Sequence, residues 1–253
     1  MIKGMACATI VWHHLAFYGP MSDTAHPLAP ALMAWLYDYG RMAVQVFLVV
    51  GGFLAARSLA PRGRAEFDAP LALLWQRYRR LVRPFAAAML LAIVCAAVAR
   101  AWLDDEAVPG PATPAQFLAH ALLLQGVLHA EALSAGVWYV AIDFQLFVLL
   151  ALMLWLARRA GGRHARPAGL ALVALFALAS LFHFNRDVAW DDWAPYFFGS
   201  YALGAATWWA SAPGRRAHGL VLETAQGDLA ARAREESEAL KARIAALEAK
   251  LNG

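Results

Sequence analysis

Charge is what this sequence has least of. Only 16% of its 253 residues are Asp, Glu, Lys or Arg, where a soluble domain carries about a quarter. Too little charge remains to cover a globular surface, which excludes an ordinary soluble domain. Cysteine is nearly absent too. Cys7 and Cys95 each stand in an apolar run, so there is no disulfide framework and no cysteine metal motif, and no bound metal is expected. The chain has no internal repeat and no low-complexity linker. It also has no evident signal-peptide cleavage site, since its first apolar segment ends in His13-His14 and Tyr18-Gly19-Pro20.

What is present is apolar. Hydrophobic residues make up 61% of the chain and mean hydropathy is +0.49. A helix needs about 20 apolar residues to cross a bilayer. Six segments are expected to span, at roughly 4–19, 37–57, 84–103, 137–157, 167–184 and 194–211. The first and last are short, and the first is expected to lack a few residues at its start. A seventh stretch, 115–129, is shorter and carries His120, Gln125 and His129. The expected fold is an all-α, polytopic transmembrane bundle of six to seven spans with a soluble C-terminal helix.

The loops orient it. Arg57, Arg62, Arg64, Arg77, Arg79, Arg80 and Arg83 crowd the second loop, and Arg158, Arg159, Arg163 and Arg166 the loop at 158–166. Arg215 and Arg216 follow the last span. The alternate loops are acidic or nearly uncharged, with Asp23, then Asp104, Asp105 and Glu106, then Asp187, Asp191 and Asp192 against Arg186. Basic loops lie inside. Six spans with both termini cytoplasmic satisfy every loop, so 115–129 reads as re-entrant or interfacial rather than crossing. The basic residues beside spans account for the net charge of +4, and a nucleic-acid partner is not expected.

Past Pro213 the composition turns to Ala, Glu, Arg and Lys. Leu240, Ile244, Leu247 and Leu251 repeat at four-three-four spacing, the seam of a two-heptad coiled coil. The expected division is a transmembrane domain at 1–212 and a soluble helical tail at 213–253. Residues 229–251 could join two copies or stand alone as a solvated helix.

Ionisable groups inside a membrane segment cost several kcal/mol unless paired or hydrated, so they mark candidate sites. His13 and His14 lie near the outer end of span one, and a neutral imidazole can act as a general base. Lys3 lies about 16 Å below His14 on the same face. The plainer reading is a water-satisfied pair. Gly51-Gly52-Phe53 in span two permits close approach of a ligand or simply of a neighbouring helix. Arg80 and Arg83 share a helix face and can clamp phosphates, or merely anchor the chain inside. Trp138, Asp143 and Gln145 stand in an otherwise apolar helix. Asp143 could orient a histidine, bind a hydroxyl, or pair with an arginine for packing, with Arg41 as a possible partner.

Together these segments resemble the acyltransferase-3 family of membrane-bound O-acyltransferases. Lys3 and His14 match its basic residue, ten intervening positions and histidine. Gly51-Gly52-Phe53 resembles its Ser-Gly-Phe. Arg80-Leu81-Val82-Arg83 is similar to its Arg-x-x-Arg. Trp138, Asp143 and Gln145 resemble its Trp, acid and Gln. This sequence departs from the pattern in three places: Gly51 replaces the serine, Gln45 an acid, and Asp143 the more usual Glu. The resemblance covers about 3–211. Family members typically have about ten spans, so the chain is expected to be cut short and continued by unrelated sequence.

The resemblance implies transfer of an acyl group from cytoplasmic acyl-CoA to a hydroxyl of a cell-envelope glycan or lipid-linked sugar, in the bacterial inner membrane. It implies His14 as base and Lys3 as its helper or a donor contact. It also implies Arg80 and Arg83 on the donor phosphates, and Trp138 and Asp143 in the acceptor or acyl pocket. His13, Arg41, Gly51, Gly52, Phe53 and Gln145 join the pocket candidates. Acyl-CoA is then a co-substrate, and no cofactor is bound. The rival readings are a transporter of an anionic lipid or sugar, which would use the same groups without chemistry, and an inactive truncated protein with a coiled-coil tail.

Overall fold

The computed structural model describes residues 1–17, 20–103 and 108–211. The coiled-coil seam and the Asp104–Glu106 acids therefore lie outside the described residues. The chain divides into two units, Met1–Ala210 and Ser211–Gly253. The first is helical, with no strand among the described residues.

Helix α1 runs over Ile2–Phe17, α2 over Pro20–Ala25, α3 over Pro30–Tyr39 and α4 over Ala43–Leu59. Helix α5, Pro70–Trp102, is 33 residues long. Then come α6 at Pro114–Ala121, α7 at Val137–Gly161, α8 at Ala165–Phe182 and α9 at Ala194–Ser211. Prolines open α2, α3, α5 and α6, where the missing N–H costs nothing.

Three stretches are long and apolar enough to cross a membrane: Pro30–Leu59, Pro70–Trp102 and Val137–Arg186. The third is 50 residues, about 75 Å if straight, well over twice a hydrocarbon core. It does not run straight. Gly162, at φ +47°, breaks it, and α8 folds back on α7. There Gly169 sits under Leu154 and Ala157, close enough that a Cβ would meet them at 3.4 and 3.5 Å. The expected spans 137–157 and 167–184 thus form a hairpin. Helices α1 and α9, at 16 and 18 residues, cover most of the two segments expected as short spans and are not among these three stretches.

One expectation is corrected. Arg77, Arg79, Arg80 and Arg83 do not sit in a loop before a span that starts at 84. They lie within α5, and Pro84 is inside that helix. The ring at Pro84 deprives the Arg80 carbonyl of its donor and crowds it, and the helix continues past both.

The core lies between α4, α7, α8 and α9, around Leu48, Leu146, Leu150, Phe198 and Tyr201, all fully buried. Helices α4 and α9 meet backbone to backbone. A Cβ on Gly52 would lie 1.8 Å from the Tyr201 carbonyl oxygen, and one on Gly204 equally close to that of Val49. Packing is thus the use of Gly52.

The two basic loops share one end of this bundle. Arg158 donates to the Ala65 and Phe67 carbonyls and pairs with Asp68. Trp208 and Trp209, closing α9, donate to the Pro61 and Ala60 carbonyls. The basic ends of α4, α7 and α9 are therefore held together by hydrogen bonds.

Candidate functional site

At the other ends of these helices the packing opens. A cavity of about 620 Å³ is lined by Arg41, Gln45, Gln125, Trp138, Gln145, Asn185, Asp191, Asp192, Tyr196 and Phe197, with alanines between. Each wall has a local cause. Arg41 sits in the 3₁₀ turn Gly40–Met42 that leads into α4. Trp138 lies in the first turn of α7, stacked on Phe197 at 5.6 Å. Asp191 and Asp192 sit in the turn before α9. Partial burial, then the neighbouring Asp192 carboxylate, pushes Asp191 above the usual carboxylate range.

The fourth wall is the segment expected to be re-entrant. Helix α6 has 8 residues, about 12 Å, too short to cross. A reciprocal capping box between Thr113 and Gln116 starts it. Beyond it the chain is irregular, with left-handed backbone at Leu123 and His129 (φ 58° and 49°). Leu123 is nonetheless fully buried, so its backbone needs side-chain partners. Tyr78 donates to the Ala121 carbonyl at 2.7 Å, and Gln145 to that of Leu123 at 3.0 Å. Gln125 donates to the Val137 carbonyl at 3.0 Å. Buried His120 joins the Gln116 carbonyl to the Leu133 amide. Close contact of Gly126 with the Asp192 backbone seats this wall on the α8–α9 loop.

The sequence candidates separate into groups. Arg41, Trp138 and Gln145 line the cavity, and Gln145 also clamps the irregular wall. His13 and His14 lie on α1 and are not among the residues that line the cavity. His13 is buried, and a Cβ on Gly40 would meet its Cβ at 2.7 Å, so α1 closes directly on the turn that carries Arg41. The Nδ1 of His13 lies 2.8 Å from the Leu36 carbonyl oxygen. A carbonyl only accepts, so Nδ1 holds the proton and a neutral ring keeps its lone pair at Nε2. Half-buried His14 packs edge-on against His13 at 5.6 Å. Lys3 is exposed at the far end of the same helix. Phe53 lies away from the cavity, against Trp208.

Asp143 does not line the cavity, and its expected partner is wrong. Its carboxylate takes a hydrogen bond from Arg77 at 2.7 Å, not from Arg41. The Arg77 guanidinium also lies 4.2 Å from the centre of the Phe147 ring. The other oxygen of Asp143 faces Gly51, whose Cβ would stand 3.0 Å from it. Of the readings open to Asp143, the arginine pair is the one formed. Arg77 and Asp143 are 66 positions apart, so no local pattern joins them. Helix α5 packs on the cavity half of α7, with Tyr78 against Phe144 and Met89 in one cluster with Val137. Arg80 and Arg83 follow Arg77 along α5 and are exposed.

Sequence reading missed Gln125, Asn185, Asp191, Asp192 and Tyr196 as cavity residues. Gln125 in an apolar stretch was a signal. The Asp191-Asp192 pair read only as an acidic outer loop. Among the described residues, no His, Cys, Asp and Glu side chains cluster as a metal site would require.

Apolar helices around a polar cavity, at the ends opposite the 158–166 loop, define a helical membrane protein with an internal site. A family model described as an acyltransferase domain, that of acyltransferase-3, matches residues 1–220. No curated protein and no solved structure matches the chain. The chain belongs to the acyltransferase-3 family, and its general activity is acyl transfer in a membrane.

Proposed function

We propose that this chain transfers an acyl group from cytoplasmic acyl-CoA to a hydroxyl of an extracytoplasmic, cell-envelope carbohydrate. The cavity carries the reading. It combines an aromatic ring, Trp138, with amides and carboxylates at Gln145, Asn185, Asp191 and Asp192. Sugars present apolar C–H faces and a rim of hydroxyls, which such a set matches. The cavity lies at the ends of α4 and α7 opposite the basic loops. With those loops cytoplasmic, it opens outward. The topology in this reading is six spans, α1, α4, α5, α7, α8 and α9, with 115–129 re-entrant and both termini inside.

In the reaction, the His14 imidazole removes the acceptor hydroxyl proton. The oxygen attacks the thioester carbonyl, the C–S bond breaks, and the proton passes to the departing thiolate. The thioester is already activated, so acid–base catalysis suffices. Arg80 and Arg83 hold the donor phosphates as charge-assisted pairs. These arginines follow Arg77 on α5, which packs against the α7 half bearing Trp138, so donor and acceptor meet over a short distance.

The test is acyl transfer by the purified chain in liposomes, with radiolabelled acyl-CoA and a soluble glycan acceptor. Wild type forms an ester on the glycan, and His14→Ala loses about 10²–10⁴-fold in rate. Absence of both ester formation and CoA binding in wild type would overturn the assignment.

A further inference from the structure

The Arg77–Asp143 pair has a place in the bundle that its chemistry alone does not explain. Asp143 is buried at 8% exposure, on the face of α7 turned away from the cavity. Ala141 and Ile142 just before it and Gln145 beyond it all line the cavity. One carboxylate oxygen receives Arg77 at 2.7 Å. The other rests against Gly51 of α4, where the Tyr201 ring of α9 also closes in. The single carboxylate therefore stands where α4, α5, α7 and α9 converge. Arg77 is fixed in turn, with its guanidinium 4.2 Å from the Phe147 ring centre. Two ends of one ion pair thus belong to the helix that carries Arg80 and Arg83 and to the helix that carries Trp138 and Gln145.

We propose that Arg77 and Asp143 act as one positioning unit, setting the arginine helix α5 against the cavity wall α7, so that the donor thioester and the acceptor hydroxyl meet in register. Neither residue touches substrate. This rests on the acyl-transfer reading above, with the donor on α5 and the acceptor against α7. Holding two reactants in line is worth orders of magnitude, and a displacement of about 1 Å can cost a hundredfold. The pair acts through kcat, because each substrate keeps its own contacts when the helices shift. A unit of two residues also gives losses that do not add.

The experiment uses the full chain in liposomes with Asp143→Asn, Arg77→Gln, the double variant and Arg77→Lys. Rates are counted per folded protein, and donor and acceptor KM are measured separately. Each single variant should lower kcat about a hundredfold with both KM values within about threefold. The double variant should be no slower than either single, and Arg77→Lys should recover part of the rate. Unchanged kcat per folded molecule with a lower thermal midpoint would make the pair merely structural and overturn the proposal. So would a raised donor KM in Arg77→Gln alone, which would put Arg77 among the phosphate contacts. If wild type transfers no acyl group, the acyl-transfer reading fails by itself. Thermal midpoints of the same four proteins then show whether the two residues are coupled at all, and additive losses overturn the unit.

Discussion

At the scale of the residue, adjacent glycines do different work. Gly52 has the Tyr201 carbonyl oxygen 1.8 Å from where a Cβ would be. No rotamer relieves a clash with backbone, so α4 and α9 must separate. Gly52→Ala should cost about 3 kcal/mol or more, read as a fall in the unfolding midpoint in detergent. Gly51 would meet only the Asp143 oxygen and the Tyr201 ring, at 3.0 and 3.1 Å. Gly51→Ala should cost about 1 kcal/mol at most, since the side chains can give and the unfolded chain loses freedom. Equal losses at the two positions would show that the α4–α9 crossing is not set by Gly52. The two histidines differ likewise. His13 is spent on the Leu36 carbonyl and on Gly40, so His13→Ala should lower the thermal midpoint and leave the turn bearing Arg41 without its support.

At the scale of the element, the segment 115–129 was legible as an oddity and no more. Its length and its His120 and Gln125 mark it as unable to cross as an ordinary helix. Its path was not legible, because the groups that hold it come from elsewhere: Tyr78 on α5 and Gln145 on α7. Removing either leaves a buried carbonyl unpaired, at about 1–3 kcal/mol. Tyr78→Phe and Gln145→Leu should both speed proteolysis or hydrogen exchange within 121–130 while α8 and α9 keep their protection. Loss spread evenly over all helices would refute the clamp. Helix α5 shows the converse limit. A run of arginines followed by proline reads as loop then span, yet the helix continues through Pro84, because packing of α5 along α7 outweighs the lost hydrogen bond and the crowding of the Arg80 carbonyl.

At the scale of the whole molecule, shared contacts at the basic end give a topology that can be checked. With Cys7 and Cys95 replaced, Val188→Cys should react with an impermeant maleimide in intact cells. Arg163→Cys should react only after the membrane is opened. The reverse pattern would invert the bundle and place the cavity on the cytoplasmic side, removing the basis for an outer acceptor.

Composition alone determined that this chain is a helical membrane protein, because too few charges cannot cover a water-facing surface. The alternation of basic and acidic loops set the expectation of which segments share a side, since charge asymmetry is written locally beside each segment. Spacing within one helix set His14 against Lys3 and Asp143 against Trp138 along the chain, because positions within one helix follow from its rise. Only the tertiary structure decided that Asp143 answers to Arg77 rather than Arg41. Only it brought Asp191, Asp192 and Asn185 opposite Trp138, and gave Gly52 to packing and Gly51 to the carboxylate. Those relations join residues tens of positions apart, and they depend on how helices cross, which no periodicity in the sequence records.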